Sequence, residues 1–200
     1  MHSHRPSHNA EITRMLAVEA ARIMAEQSIH EFTTAKRKAA ERLRIRDPKL
    51  LPDNIEIEAA LLEHRRLFHQ DHQGVLHELR ACTLKLMQLL HAYQPHLVGS
   101  VLSGSADQYS EICLHVFSDA PEAVLLHLLE HRIHAQHAEK KIHYSSDRIV
   151  TAPCFKFIAG NYPVELVVFT AHGLRQAPLN PVDHRPMPRA NMQIVQNLLK

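Results

Sequence analysis

Apolar residues recur at helical spacing through the first half of the chain. Ile12, Met15, Leu16, Ala20, Ile23 and Met24 fall on one face and predict a first amphipathic helix, which Ser28 interrupts. Phe32, Ala35, Ala39 and Leu43 mark the inner face of a second. A loop around Asp47–Pro48 and Pro52–Asp53–Asn54 ends in good N-cap residues. Ile57, Ala60, Leu61, His64 and Phe68 then mark a third helix. A fourth is expected from about Gly74 to Tyr93, where Val75, Leu79, Cys82, Leu86, Leu89 and Tyr93 follow a 4,3,4,3,4 spacing. Sustained coiled coils need about three to four heptads, so this short seam predicts packing inside a bundle. The second reading of the seam is a homodimer through the N-terminal helices.

The pattern changes after Pro95. Leu97 to Ser110 is punctuated by Gly and Ser, and Ile112–Phe117 has the look of a strand. Pro121 fits the first turn of a helix running through PEAVLLHLLEHR. Lys140–Tyr144 and Ile149–Ile158 predict strands joined by a turn at Ser145–Ser146–Asp147. Pro163–Phe169 is a strongly β-prone run, and a proline-rich segment leads to a short last helix near Met192–Leu199. The whole predicts an α+β fold, with a helical region over 1–94 and a mixed sheet with flanking helices over 95–200.

Composition narrows the function classes. Net charge is +2, which points to neither nucleic acid nor a membrane surface. No apolar run approaches the roughly 18 residues of a membrane span, and the polar N-terminus has no signal-peptide core, so a cytoplasmic protein is expected. The cysteines Cys82, Cys113 and Cys154 are far apart and lack CxxC or zinc-finger spacing. No P-loop and no GxSxG elbow occurs.

The candidate chemistry lies in LVGSVLSGSADQYSEICLHVF, residues 97–117. Gly99 and Ser100, then Gly104, then Ser110, Ile112 and Leu114 keep the spacing Gly-Ser-xxx-Gly-xxxxx-Ser-acid-Ile-x-Leu, after the apolar Leu97 and Val98. This segment resembles the active-site motif of the polymerase-β-like nucleotidyltransferase superfamily. AKRKAAERL, PDNIEIEAAL, PVELVVF and RQAPLNPVDHRPMPRA also resemble a group of proteobacterial nucleotidyltransferase-like proteins. The resemblance implies a nucleotidyltransferase-like sheet and transfer of a nucleoside monophosphate from an NTP to an acceptor. It also implies that Gly99, Ser100, Gly104 and Ser110 contact the nucleotide, the Gly-Ser turn cradling its phosphates. Glu111, with Glu165 on the later strand, would be the catalytic and metal-binding carboxylates for Mg²⁺ or Mn²⁺.

Two departures bear on activity. Glu111 and Cys113 stand where the family carries Asp-x-Asp. A free thiol, with a pKa near 8.5, is mostly protonated at neutral pH and is a soft ligand unsuited to Mg²⁺. Cys113 therefore reads first as a small buried residue. Strand alternation puts Glu111, Cys113 and His115 on one face, a set suited to a transition metal instead. The alternative function is a catalytically inactive nucleotide-binding or protein-interaction module on the same fold. The family's Arg after Gly-Ser is also missing. The candidate replacements are Arg175, Arg185 and Arg189, or Lys36, Arg37 and Lys38, although AKRKAAERLRIR reads first as a solvated basic face. Among the 18 histidines, His127, His131 and His134 are spaced i, i+4, i+7, but no HExxH accompanies them. They, and the loosely spaced His64, His69, His72 and His77, read as surface histidines.

Overall fold

The computed structural model describes residues 8–68, 72–145 and 147–200. His69 and Ser146 lie outside them, as does most of the polar N-terminus. The chain forms two compact units, Met1–His72 with Pro181–Asp183, and Gln73–Asn180 with His184–Lys200.

The first unit is helical: α1 (His8–Gln27), α2 (Phe32–Leu43) and α3 (Asn54–Phe68). Its core is built on small residues. Ala17, Ala20 and Ala21 of α1 and Ala35 and Ala39 of α2 are buried together with Leu16, Ile23, Met24, Ile57 and Leu61. Alanine lets helices approach closely at little side-chain entropy cost. Ser28 ends α1 in the left-handed region (φ 50°), and the Ile29 amide returns to the Met24 carbonyl at 3.2 Å. This is the six-to-one bond of a Schellman turn. The Asp53 amide donates to Glu56 Oε2 at 2.8 Å, half of a capping box at the start of α3. Met15 departs from the expected inner face. It is 56% exposed because the buried stripe runs through Leu16, Ala20, Ile23 and Met24, one position further round the helix.

The second unit carries α4 (His72–Leu89), β1 (His96–Val98), α5 (Ser100–Ser103), β2 (Ile112–Phe117), α6 (Pro121–Glu130), β3 (Gln136–His143), β4 (Ile149–Ala159), β5 (Tyr162–Phe169) and α7 (Met192–Asn197). The strands form one open mixed sheet in the order β1-β2-β5-β4-β3. Among the described residues only β2 and β5 run parallel, with Cys113 level with Glu165 and His115 level with Val167. A purely helical chain is thereby excluded.

Strand parity sorts the sheet into two faces. Ile112, Leu114, Val116, Val164, Leu166, Val168, Phe155 and Phe157 pack with Leu76, Leu79, Leu86 and Met87 of α4 and Val124 and Leu128 of α6. The buried side of α4 is wider than the predicted seam, since Leu76, Thr83 and Met87 join Leu79 and Leu86. That width is what docking on a sheet requires, whereas a coiled-coil seam is narrower. The face that suggested a homodimer is thus covered by the sheet. It also explains why the spatial division falls at His72–Gln73, whereas the composition shifts near residues 94–95. On the opposite face Phe117, Ile142, Ala152, Cys154, Val167 and Phe169 form a smaller cluster. Among the described residues no helix is long and apolar enough to cross a membrane.

Candidate functional site

Beside that smaller cluster the sheet turns polar. Glu111 precedes β2, Cys113 lies on it, and Glu165 is the parallel partner of Cys113 on β5. One ligand atom from each of Glu111, Cys113 and Glu165 lies within 4.8 Å of the others. Glu111 is exposed, whereas Glu165 is only 6% exposed.

A buried carboxylate needs compensation, because desolvation penalises its charged form. Two lysines supply it. Lys156, the antiparallel partner of Glu165 on β4, brings Nζ to 3.4 Å from Glu165 Oε2 and 4.0 Å from Glu111 Oε1. Lys140 of β3 is level with Ala152 and reaches diagonally past β4 to donate to Glu165 Oε1. The Lys140 ammonium is opposed by burial, but its hydrogen bond and charge attraction to Glu165 outweigh this and raise its pKa. The charges of Glu111 and then Glu165 raise that of Lys156.

Cys113 behaves differently. Burial pushes its thiol up to about 12, against the opposing pull of Lys140, and the neighbouring glutamates add to the rise. Cys154 rises to about 11, through burial and then the charge of Glu165. At neutral pH the thiol of Cys113 is therefore protonated and uncharged.

The Gly-Ser turn adjoins this group. Val98 pairs with Cys113 across β1 and β2, and Gly99 follows with φ 73° and ψ −153°. That conformation is essentially open only to glycine. A β-carbon at Gly99 would sit 3.8 Å from Cys113 Cβ, so the turn runs directly beside the thiol. Ser100 opens α5, whose Val101 and Leu102 carbonyls accept from Arg80 of α4. Gly104 ends α5 with φ 89°. Ser110 is buried in a local turn: its hydroxyl donates to Asp107 Oδ1 at 3.0 Å and accepts from the Asp107 amide at 2.8 Å.

His115 shares the strand face of Cys113 but not the cluster. It is buried, and its Nδ1 accepts from Arg189 Nε at 3.2 Å. A guanidinium can only donate, so this nitrogen carries no proton and the imidazole is neutral, protonated on Nε2. Burial, then the charge of Arg189, holds its pKa well below the usual histidine value. Arg189 also donates to the Gly173 carbonyl at 2.7 Å and lies over the rings of Phe117 and Phe169. It anchors the C-terminal segment to the sheet. Lys38 donates to Gln27, and Arg37 pairs with Glu41, both within the helical unit.

The spaced histidines do not form a metal face. α6 ends at Glu130, His131 is its cap, and Arg132 takes φ 61°, which puts His134 outside the helix. His127 instead contacts the Leu89 carbonyl through Nε2 at 2.9 Å.

Sequence reasoning missed Lys140 and Lys156. The signal for Lys156 was present: it lies between Phe155 and Phe157, on the face that Glu165 shares by alternation. Lys140 had no such signal, because its reach depends on sheet order. No protein-family model matches this chain, and no curated protein sequence matches it either.

Proposed function

We propose that the second unit is a nucleotidyltransferase-like module that binds a nucleotide without running two-metal transfer. The observation that carries this reading is Cys113, whose thiol lies among the carboxylates of Glu111 and Glu165 and beside the Gly99 turn. In the resemblance the strand supplies two aspartates and a neighbouring strand a third carboxylate. Here Glu165 stands level with Cys113, which supports the same layout of positions. The chemistry at the middle position has changed. Magnesium takes hard oxygen ligands in near-octahedral geometry, and a neutral thiol offers neither charge nor a hard donor. The donor set does not fit a pair of Mg²⁺ ions. The turn that would face the phosphates is kept, with Gly99 in its glycine-only conformation.

Calorimetry with ATP and GTP, each with and without Mg²⁺, tests the binding half. Saturable binding that Gly99→Ala weakens is expected; no heat at millimolar nucleotide would favour a protein-interaction module. A labelled-NTP transfer assay tests the other half. The convergence of Glu111 and Glu165 favours a second reading, an active transferase with these as its carboxylates. Transfer by the wild type that Glu111→Ala abolishes would establish that reading and overturn ours.

A further inference from the structure

The Glu111–Glu165 pair carries two negative charges on one sheet face, one of them buried, and something must balance them. The balance is internal. Lys156 Nζ lies between the two carboxylates, 3.4 Å from Glu165 and 4.0 Å from Glu111, in the manner of a bridging cation. Lys140 meets the other oxygen of Glu165. We infer that Lys140 and Lys156 are resident cations of this site, standing where a divalent ion would otherwise bridge the carboxylates and excluding such an ion from it.

Three features support this. The two ammonium groups match the two carboxylate charges one for one, so no net attraction is left for a free cation. Both lysines arise from adjoining strands of the same sheet, which fixes their reach through strand register rather than through a loose surface side chain. Their side chains are each nearly half exposed, 42% for Lys140 and 47% for Lys156, so replacing them opens the carboxylates to water and ions without emptying a core. The inference concerns the cation side of the cluster and stands apart from nucleotide binding: it can fail while that reading holds, and the reverse.

The test is a gain of function. Mn²⁺ serves as the probe because it is a hard, oxygen-seeking ion with a spin signal. Binding is followed by electron paramagnetic resonance and calorimetry for wild type, the single variants Lys140→Ala, Lys156→Ala and Glu165→Gln, the double lysine variant, and the double variant carrying Glu165→Gln. Wild type is expected to show no Mn²⁺ site that depends on Glu165. The double variant is expected to gain one, at least about tenfold tighter than any wild-type binding, a difference of about 1.4 kcal/mol. Glu165→Gln is expected to remove it again. A wild-type site lost in the single Glu165→Gln variant would overturn the inference. So would a folded double variant, checked by circular dichroism, that gains nothing. If the double variant does not fold, the Lys156→Ala single decides, since it removes the bridging ammonium and leaves Lys140 on Glu165. A thermal midpoint that Mn²⁺ raises in Lys156→Ala but not in wild type supports the inference, and one that Mn²⁺ raises in neither overturns it.

Discussion

His115 is where the interior of the sheet unit meets proton chemistry. It is buried with its Nδ1 committed to Arg189, and burial, Arg189, Lys140 and His96 all oppose its charged form. Its folded pKa therefore lies below the ordinary value of 6.5. Above that pH both folded and unfolded chains hold a neutral imidazole, and it adds no pH dependence. As pH falls below about 6.5 the unfolded chain takes up a proton that the folded chain refuses, so stability declines, by at most about 1.4 kcal/mol per pH unit for one proton. Urea unfolding at pH 7.5 and pH 5 should show a shallower loss for His115→Asn than for wild type. Equal losses would mean that this imidazole is not the one resisting protonation. The other histidines are common to both proteins and cancel in the comparison. At this scale the sequence was a partial guide. The alternation of Glu111, Cys113 and His115 was readable, as was the candidacy of Glu165. The division between a carboxylate–thiol group and a separate His–Arg pair was not, because it depends on what the C-terminal segment brings to the face. Arg189 stood among the candidate phosphate cations, and the fold uses it against His115, Gly173 and two phenylalanine rings.

Among the elements, strands were more legible than the geometry that joins them. Ile112–Phe117 coincides with its predicted span, and β3, β4 and β5 differ from theirs by a few residues at most. Period-two alternation and β-branched content mark such runs locally. Pairing order is non-local, so neither the parallel contact of β2 with β5 nor the place of β3 at the far edge could be read. Helical faces failed by rotation rather than by type. In α1 both Met15 and Leu16 fit the apolar stripe, yet Leu16 is fully buried and Met15 is not. The choice is made by the alanines at 17, 20 and 21, where close approach by α2 and α3 is sterically possible. Leu16→Ala should therefore cost about 2–5 kcal/mol of unfolding free energy. Met15→Ala should stay within about 0.5 kcal/mol of wild type. Chemical denaturation of the two variants separates them, and similar losses would place the α1 core face where the sequence pattern alone had put it.

For the whole molecule, composition drew the boundary at the end of the fourth helix, whereas packing draws it at the start of that helix. The apolar face of α4 is covered by the sheet core, and among the described residues the core of the first unit draws on α1, α2, α3 and the turns between them. A fragment beginning at Gln73 therefore retains both of its hydrophobic clusters intact. It also retains the resident lysines, the Gly99 turn and the Arg189 anchor. One interruption remains, since Pro181–Asp183 groups with the helical unit, where Asn54 donates to the Pro181 carbonyl at 2.8 Å. That excursion is closed at its base by its own bonds, Asn180 N–H to the Arg185 carbonyl at 2.8 Å and His184 N–H to the Asn180 carbonyl at 2.9 Å. The loop should thus keep its register when the helical unit is removed. The fragment spanning residues 73–200 is expected to melt cooperatively by circular dichroism and to give dispersed methyl resonances. In a 184–200 segment still anchored by Arg189, Ala190 should retain its paired amide bonds with Leu97, seen as slow hydrogen exchange at both positions. A fragment with no cooperative transition would show that the sheet unit needs the helices to fold, and the division at His72–Gln73 would then be one of contacts rather than of stability.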